Sequence, residues 1–325
     1  MGKFIDAMRS KFADNDAPKL ADFVEGTFAW LIQKRIDESA LPGSRKLLRG
    51  TIYSYRALQR SPIGKKDAVK AKRQDFIDHI RSRRADDVTA ATALHDMSHL
   101  RVILRDGIEQ WEIEDLSYVE WQKAKKKLET DGLIAKSMKR DRRPTDDEIA
   151  SLRALFEKQN AGKRSEIDMV DVLDFQLASG RRIGETCRIR RKDIDIERRL
   201  CWIYDLKNPK GKGYHAQFPL LGRAWEIVEK RLAAMMDQAP NARVFPYKST
   251  SITQRYIDAK KALGIENLRL HDSRREALSR LFEAGYSVPE VQKVSLHLNA
   301  AVLLANYTAL KAEDLHRGPA SKRTA

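Results

Sequence analysis

Apolar residues recur at helical spacing along most of the chain, in segments that turns and charged runs separate. In the first 135 residues this spacing predicts helices over 19–38, 44–60, 65–84, 88–108 and 111–132. The breaks between them contain proline or glycine, as in Leu41-Pro42-Gly43 and Ser61-Pro62-Ile63-Gly64. This half of the chain is therefore predicted to be helical throughout.

The second half mixes helical spacing with one short β region. Thr145 and Glu148 form a capping box, so a helix begins there, and Gly180 ends the strongly apolar helix predicted over 168–178. Further helices are predicted over 183–191, 224–236, 253–263, 271–284, from 288 onward, and over 301–307. Apolar runs at 194–196, 200–206 and 216–220, separated by turns, predict a small antiparallel sheet. The fold class is therefore mainly α with a small antiparallel β-sheet.

Composition divides the chain into two domains joined by a basic linker. We predict a flexible N-terminal arm over 1–18, a helical domain over 19–135, a linker over 136–144, and a mixed α/β domain with a basic C-terminal tail over 145–325. The cations of the linker are Lys136, Lys139, Arg140, Arg142 and Arg143. Such a run is either solvated or lies along a DNA backbone, and the sequence favours neither interpretation.

Charge indicates a polyanionic partner. The 325 residues include 62 Lys and Arg against 46 Asp and Glu, which gives a net charge of +16 and a pI of about 9.7. The cations are spread along the whole chain rather than confined to a tail. A nucleic-acid backbone is the usual partner of such a protein. The alternatives are a generally basic soluble protein and one that binds anionic membranes.

Cysteine content and hydropathy indicate a reducing compartment. Cys187 and Cys201 are too few for a disulfide framework and lack the spacing of metal ligands. No run of about 18 apolar residues occurs, and the first residues lack the apolar core of a signal peptide. We therefore expect a cytoplasmic protein without a membrane partner.

Two further patterns are more simply structural than functional. His95 and His99 lie four residues apart, which is the spacing of a helical metal pair, but no third ligand is evident nearby, so we expect no metal site. Trp111 and Trp121 could stack on bases, yet isolated tryptophans in a helical domain are more often core residues.

His271 and Arg274 are the first candidates for chemistry. They lie three residues apart just ahead of an amphipathic run, so on a helix both side chains could contact one small anion. This pair alone is common by chance. Its weight comes from an ordered set of other stretches, which are Gly180-Arg181-Arg182-Ile183-Gly184-Glu185, a lysine-bearing hairpin around Lys207, His297, and Asn306-Tyr307-Thr308.

With these motifs in this order, the chain resembles the tyrosine recombinases, the phage integrase family, from roughly Arg143 to Tyr307. The resemblance implies a two-domain, C-shaped DNA clamp. In that clamp, 19–135 would be the core-binding, SAM-like DNA-binding domain and 145–325 the catalytic domain. The chain departs from the family pattern at Leu296, where glycine commonly precedes the histidine.

The chemistry of a phosphodiester cut explains why these residue types suit one site. Arg182 and Arg274 can bind the non-bridging oxygens bidentately and stay charged at any physiological pH. A tyrosine can form a reversible phosphoester that conserves the bond energy for rejoining, and the resemblance makes Tyr307 this nucleophile. The resemblance implies that Lys207 donates a proton to the leaving oxygen, with Lys210 and Lys212 as substitutes that would also contact the DNA. It implies acid–base or phosphate contacts for His271 and His297. Glu185 would orient a cation of the site.

The family implies site-specific recombination, most like the integration and excision of a phage or other mobile element. The reaction would pass through a 3′-phosphotyrosine intermediate and a Holliday junction, without metal or cofactor. Its partners would be double-stranded DNA recombination sites, a homo-tetramer of this chain on two sites, and DNA-bending accessory proteins, at the nucleoid in the cytoplasm. The alternatives are a chromosome-dimer resolvase, a DNA invertase, a type IB topoisomerase, and a catalytically silent DNA-binding relative.

Overall fold

Two compact units make up the chain, and they divide between residues 139 and 140, inside the predicted linker. The computed structural model describes residues 18–138, 140–162, 166–204, 206 and 214–307, with the backbone alone for 305–307. Residues 1–17 of the predicted arm and the tail after Tyr307 lie outside this description. Each unit has its own hydrophobic core. Among the described residues, no helix combines the length and the apolar character that a bilayer span needs.

The described elements of the first unit are helices, together with one isolated antiparallel bridge between Thr27 and Asp67. Its helices are α1 (Phe28–Ala40), α2 (Arg49–Arg60), α3 (Arg73–Ala85), α4 (Ala90–Glu109) and α5 (Tyr118–Thr130), with 3₁₀ turns at Leu20–Asp22 and Pro62–Lys65. The rings of Phe28 and Phe76 meet edge to face at 5.7 Å, and the Trp121 indole donates to the Met97 carbonyl at 3.0 Å. Trp121 is 4% exposed, so its predicted place in the core is confirmed.

The first helix begins later than predicted. Helix α1 begins at Phe28 rather than at residue 19, because Gly26 takes a φ of +79° and the Thr27 hydroxyl accepts a capping hydrogen bond from the Trp30 amide at 3.3 Å. Val24, which the periodicity assigned to the buried stripe, is 76% exposed. The start of α1 is therefore set by the turn at Gly26 and the cap at Thr27, and not by the spacing of apolar residues.

His95 and His99 of α4 belong to no candidate metal site among the described residues. His99 packs against the Tyr55 ring with a centroid distance of 5.1 Å. In the part of the chain that the structure describes, the His, Cys, Asp and Glu side chains form no group that could hold a metal ion.

The second unit mixes helices with a sheet. Its helices are α6 (Asp146–Ala161), α7 (Met169–Ser179), α8 (Ile183–Thr186), α9 (Arg223–Ala233), α10 (Ser249–Ala262), α11 (Asp272–Glu283), α12 (Val288–Ser295) and α13 (Ala300–Tyr307), and a 3₁₀ turn covers Arg191–Asp193. The predicted capping box is present, since the Thr145 hydroxyl accepts from the Glu148 amide at 3.2 Å and the Glu148 carboxylate accepts from the Thr145 amide at 2.9 Å.

Helix α8 is shorter than the helix predicted over 183–191. It ends at Thr186, and after a turn Ile189 is buried with its carbonyl accepting from the Val244 amide at 2.9 Å. Arg190 pairs with Arg243 through a backbone bridge. A long-range backbone contact, which periodicity cannot report, therefore took the place of the helix.

The sheet is three-stranded and antiparallel, in the order β1 (Ile194–Asp195), β2 (Leu200–Ile203) and β3 (Ala216–Pro219). Cys201 lies opposite Ile194 of β1 and opposite Phe218 of β3, and all three side chains are buried in the core of the second unit. The predicted sheet is confirmed, although each strand is shorter than predicted.

Helix α7 is the central helix of the second unit. It packs against α6, α9 and α11, and residues on opposite sides of it, such as Leu173 and Phe175, are buried. It is therefore the buried spine that its apolar sequence predicted. Helix α13 packs against α11 and α12, where Leu303 is buried together with Leu278 and Val291.

Candidate active site

A glycine turn at the end of α7 joins two helices. Gly180 has a φ of +60°, the left-handed conformation that glycine favours, and it ends α7 as predicted. A Cβ at this position would lie 3.1 Å from the Leu278 Cδ2 atom of α11. This close approach lets the Gly180 carbonyl accept a hydrogen bond from Arg274 of α11 at 2.6 Å. The turn thus ties the segment that carries Arg182 to the helix that carries Arg274.

Arg182 and Glu185 form an ion pair at the start of α8. Arg182 Nη1 lies 2.8 Å from Glu185 Oε1, and the Arg182 amide donates to Glu185 Oε2 at 3.3 Å. The Arg182 side chain is 40% exposed and that of Glu185 is 5% exposed. Burial alone would raise the pKa of Glu185, but the positive charges of Arg181 and Arg182 outweigh it and hold this pKa below its usual value. Glu185 is therefore ionised and holds a half-exposed arginine.

Arg274 lies buried beneath the surface of the site. The residue is 1% exposed, and its Nη1 and Nη2 atoms donate to the carbonyls of Gly180 at 2.6 Å and Ser295 at 2.8 Å. His271, the residue that precedes α11, is exposed. A phosphate group can therefore reach the Arg274 guanidinium only if neighbouring side chains move.

His297 approaches Arg274 from the end of α12. Leu296 follows α12 in the left-handed conformation, with a φ of +56°. The ring nitrogens of His297 lie 3.2 Å and 3.3 Å from Arg274 Nη2, and its Nδ1 lies 2.8 Å from Ser295 Oγ. A residue other than glycine in this conformation costs about 1–2 kcal/mol, so the glycine expected at 296 would fit this turn with less strain.

Both histidines of the site are shifted toward the neutral form. Although His271 is exposed to solvent, partial desolvation of its ring lowers its pKa, and the positive charges of Arg274 and Arg182 lower it further. Burial of the ring, followed by the positive charges of Arg274 and Arg182, lowers the pKa of His297 to about 3. At neutral pH both imidazoles are therefore uncharged, and each can accept a proton or a hydrogen bond.

Tyr307 is the last residue of α13, and the structure describes its backbone but not its side chain. Helix α13 packs against α11, which carries Arg274, and against α12, which leads to His297. Four other predicted site residues lie outside the described residues, namely Lys139, Lys207, Lys210 and Lys212. Their predicted roles stay predictions.

The arginines of the predicted linker are bound to polar side chains of the second unit. The ion pairs are Arg140 with Asp272 at 2.7 Å, Arg142 with Glu148, and Arg143 with Glu276 at 2.7 Å and Glu283 at 2.5 Å. Arg140 also donates to Asn267. Lys136, by contrast, is exposed. Residues 140–143 are thus part of the second unit and not a freely solvated linker, and their DNA contacts stay a prediction.

The site keeps a surplus of positive charge. Arg181, Arg182 and Arg274 all act on the carboxylate of Glu185, and Arg274 is held by main-chain carbonyls, which carry no net charge. A phosphodiester would offset this surplus, because the planar fork of a guanidinium matches phosphate oxygens. The arrangement can therefore bind a phosphate group and stabilise negative charge that develops on it.

A sequence profile of the phage integrase family matches residues 142–314, which is more than half of the chain and includes every described residue of this site. The chain belongs to the phage integrase family. Its relatives include the shufflon-specific DNA recombinase of Escherichia coli, 30% identical over 177 residues, and a putative integrase/recombinase of Haemophilus influenzae, 25% identical over 264 residues. The first match covers 54% of this integrase-family chain but only 42% of the E. coli protein, and the second covers 80% and 81%.

Solved integrases share the fold of this family member. The Tn1549 transposon integrase in complex with a circular intermediate DNA matches with a TM-score of 0.67 and 14% identity, over 90% of this chain and 98% of that one. A lambda integrase dimer bound to a core site matches with a TM-score of 0.65 and 16% identity, over 100% of this chain and 89% of that one. The predicted fold class, mainly helical with a small antiparallel sheet, is confirmed.

The burial of Arg181 in this integrase-family chain was not predicted from the sequence. The motif directs attention to Arg182, which is half-exposed, while Arg181 beside it is fully buried. The available signal was the arginine doublet that directly follows an apolar helix.

Proposed function

We propose that this chain is a site-specific tyrosine recombinase that cuts and rejoins DNA through a covalent bond between Tyr307 and a DNA 3′-phosphate. The observation that carries this proposal is a site with surplus positive charge in which Arg274 contacts His297 and the charge of Arg182 acts on the same histidine, the three residues coming from separate segments. Family membership and a net charge of +16 support it.

The proposed cleavage step is an in-line displacement at phosphorus. The Tyr307 hydroxyl oxygen attacks, a bond between this oxygen and phosphorus forms, and the bond from phosphorus to the 5′-oxygen breaks. The tyrosine proton passes to a neutral acceptor, and His271 fits this role because its lowered pKa keeps it uncharged at neutral pH. The leaving 5′-oxygen takes a proton from Lys207. Rejoining is the reverse displacement by a DNA 5′-hydroxyl.

The arginines stabilise the charge of the transition state. Arg182, half-exposed and oriented by Glu185, contacts one non-bridging oxygen, and Arg274 contacts the other once the side chains that cover its guanidinium move aside. His297 donates a hydrogen bond to the same phosphate. The negative charge of a bound phosphodiester, and the charge that develops on it in the transition state, would raise the histidine pKa, because an adjacent negative charge favours the protonated form.

The proposed substrate is a double-stranded recombination site of a phage or other mobile element. One of the similar solved structures is a lambda integrase tetramer bound to a Holliday junction. By analogy, four copies of this chain would act on two sites through such a junction, with DNA-bending accessory proteins. The helical domain over 19–135 and the basic residues Lys136, Lys210 and Lys212 would contact the DNA, in the cytoplasm at the nucleoid.

The test is covalent trapping on nicked suicide duplexes that tile the DNA flanking the gene. Wild type is compared with Tyr307→Phe on a denaturing gel. The matched control is Tyr286→Phe, which removes a hydroxyl group from the same small hydrophobic cluster that anchors α13. We expect a protein–DNA band with wild type and with Tyr286→Phe, and none with Tyr307→Phe.

Each other result has a definite meaning. A band that persists in Tyr307→Phe would show that another residue is the nucleophile. No band with any variant, together with salt-sensitive DNA binding, would favour the catalytically silent DNA-binding relative.

A further inference from the structure

Arg181 is a buried charge in the hydrophobic core of the second unit. It is 0% exposed, and among the described residues it has the largest side chain that is completely buried. Its guanidinium lies over the Phe218 ring of β3, 4.5 Å from the ring centre. An ion removed from water in this way lowers stability unless partners satisfy it.

The partners of Arg181 satisfy it only in part. Its Nη2 atom donates to the Val294 carbonyl of α12, and its Nη1 atom lies 3.7 Å from Glu185 Oε2. Its Nε and Nη1 atoms have no hydrogen-bond partner among the described residues. Glu185 already has a closer partner in Arg182, at 2.8 Å. A methionine-sized apolar side chain would fill the same space without the cost of burying the charge, so stability does not account for an arginine here.

The contact with Val294 acts on the last turn of α12. The last carbonyls of a helix lack partners within the helix and carry partial negative charge. Two neighbouring carbonyls of α12 are held by two arginines, Val294 by Arg181 and Ser295 by Arg274 at 2.8 Å. Leu296 then reverses the chain in its left-handed conformation.

This reversal sets the place of His297. Its ring meets Arg274 at 3.2 Å and Ser295 Oγ at 2.8 Å, and its carbonyl accepts from the Gln292 side chain at 2.8 Å. Loss of the hold on Val294 would free the last turn of α12 and with it the ring of His297. A displacement of about 1 Å at a catalytic group is enough to slow a reaction by about 100-fold.

We propose that Arg181 is a positioning residue, which holds the end of α12 through Val294 and thereby places the His297 ring against Arg274. The inference rests on the function proposed above for its catalytic consequence, but its structural part concerns the protein alone. Arg181 contacts neither the reacting atoms nor the DNA, because it is completely enclosed.

The first test compares Arg181→Met with Arg181→Lys in single-turnover cleavage of a suicide duplex. We expect Arg181→Met to slow cleavage about 10- to 100-fold with unchanged DNA affinity and with a Tm close to that of wild type, because relief of the buried charge offsets the partner that Glu185 loses. Arg181→Lys keeps a cation that can donate to Val294 and should recover most of the rate. A lower Tm with unchanged cleavage in Arg181→Met would mean that the arginine is only structural.

The matched control is Arg231→Met. Arg231 also lies over a phenylalanine ring, that of Phe245 at 4.6 Å, but it pairs with Asp171 at 3.1 Å and lies on α9, away from α12. Its removal leaves a buried carboxylate without this partner, so we expect a lower Tm and an unchanged cleavage rate of the folded protein. This is the opposite of the result expected for Arg181→Met.

A double-mutant cycle tests whether Arg181 acts through His297. In a His297→Gln background, Arg181→Met should cause little further loss of rate, because the group that it positions is already gone. Losses that multiply in the double variant would overturn the proposal.

A measurement without DNA separates this proposal from the proposed function. NMR titration of histidine-labelled protein should show His297 titrating well below an ordinary histidine in wild type and closer to it in Arg181→Met, both because the ring is freed and because the Arg181 charge that lowers its pKa is gone. Arg181→Lys keeps the charge and should titrate as wild type does if the lysine holds Val294. An unchanged His297 titration in Arg181→Met would overturn the positioning role. If wild type titrates as expected but forms no covalent complex with DNA, the proposed function fails while the positioning of His297 by Arg181 stands.

Discussion

The arginines at 140–143 and Arg274 of the candidate active site are held in opposite ways. Arg140, Arg142 and Arg143 each bind at least one carboxylate, so their charge is largely neutralised within the second unit. Arg274 is held by the carbonyls of Gly180 and Ser295, which position it without neutralising it.

The difference shows how a protein can fix a cation and still leave its charge for a ligand. A carboxylate partner lowers the electrostatic attraction of an arginine for a second anion, whereas a carbonyl partner supplies geometry and little opposing charge. In the site, Glu185 is the carboxylate close to Arg181 and Arg182, and the remaining positive charge is suited to a phosphate group.

The largest expected effect is the loss of a site arginine. Arg182→Gln should reduce single-turnover cleavage by about 10²–10³-fold, because one donor to the transition-state charge is removed. The fold should persist, since the Arg182 side chain is 40% exposed and Glu185 keeps Arg181 as a neighbour. The measurement is the rate of covalent complex formation at saturating protein.

The control for that variant is Arg223→Gln, an arginine of α9 that is 56% exposed and pairs with Glu226 at 2.9 Å. It should cleave at the wild-type rate. Equal losses in the two variants would mean that general charge, and not the site, governs cleavage.

A smaller effect is expected for Arg140, Arg142 and Arg143, which are bound to carboxylates. Arg140→Gln leaves the Asp272 carboxylate, 5% exposed, without its ion pair, and should lower the free energy of unfolding by about 1–3 kcal/mol. Because its charge is already used within the protein, the dependence of DNA affinity on salt should not change. Urea denaturation and DNA binding at several salt concentrations measure the two quantities.

Lys136→Gln is the contrasting variant, because Lys136 is exposed. If it contacts a phosphate, the slope of log affinity against log salt should fall by about 0.9 while stability stays unchanged. A reduced slope in Arg140→Gln would contradict the division of the arginines into two classes.

The smallest effect concerns pH. The pKa of His297 is about 3 in the folded protein because of burial and of the charges of Arg274 and Arg182, against about 6.5 in the unfolded chain. As pH falls below 6.5, His297 is protonated in the unfolded chain but stays neutral in the folded protein. Proton binding therefore favours the unfolded chain, and the free energy of unfolding decreases progressively. Wild type should therefore lose stability between pH 7 and pH 5.

His297→Gln removes this titration. Because the ring is partly solvated, we expect the loss between pH 7 and pH 5 to be only about 1 kcal/mol smaller in the variant than in wild type. Equal losses in both proteins, measured by chemical denaturation at the two pH values, would show that His297 does not titrate with a lowered pKa.

Much of the fold was predictable because its signals are local. The capping box at Thr145, the helix stop at Gly180 and the small sheet all depend on residues close in sequence, and each is present. The errors arose where distant contacts compete with periodicity. Helix α8 ends at Thr186 because Ile189 bonds to Val244, which lies far along the chain.

The candidate site was predictable in part for a related reason. The ordered motifs predicted Arg182, Arg274 and His297. In the structure Arg274 contacts His297, and Arg182 lies near enough for its charge to lower the pKa of that histidine. The role of Arg181 and the carboxylate partners of the linker arginines were not predictable, because both depend on which side chains from distant segments lie within reach.

The sequence by itself determined the helical character of the chain, its basic charge and the order of the motif residues, because propensity, charge and spacing are properties of neighbouring residues. The tertiary structure alone decided which arginines have their charge offset by a carboxylate and which can still attract an anionic ligand. Burial and the choice between a carboxylate and a carbonyl partner depend on how α7, α11 and α12 pack together, and that packing placed Arg274 on carbonyls and Arg140 on Asp272.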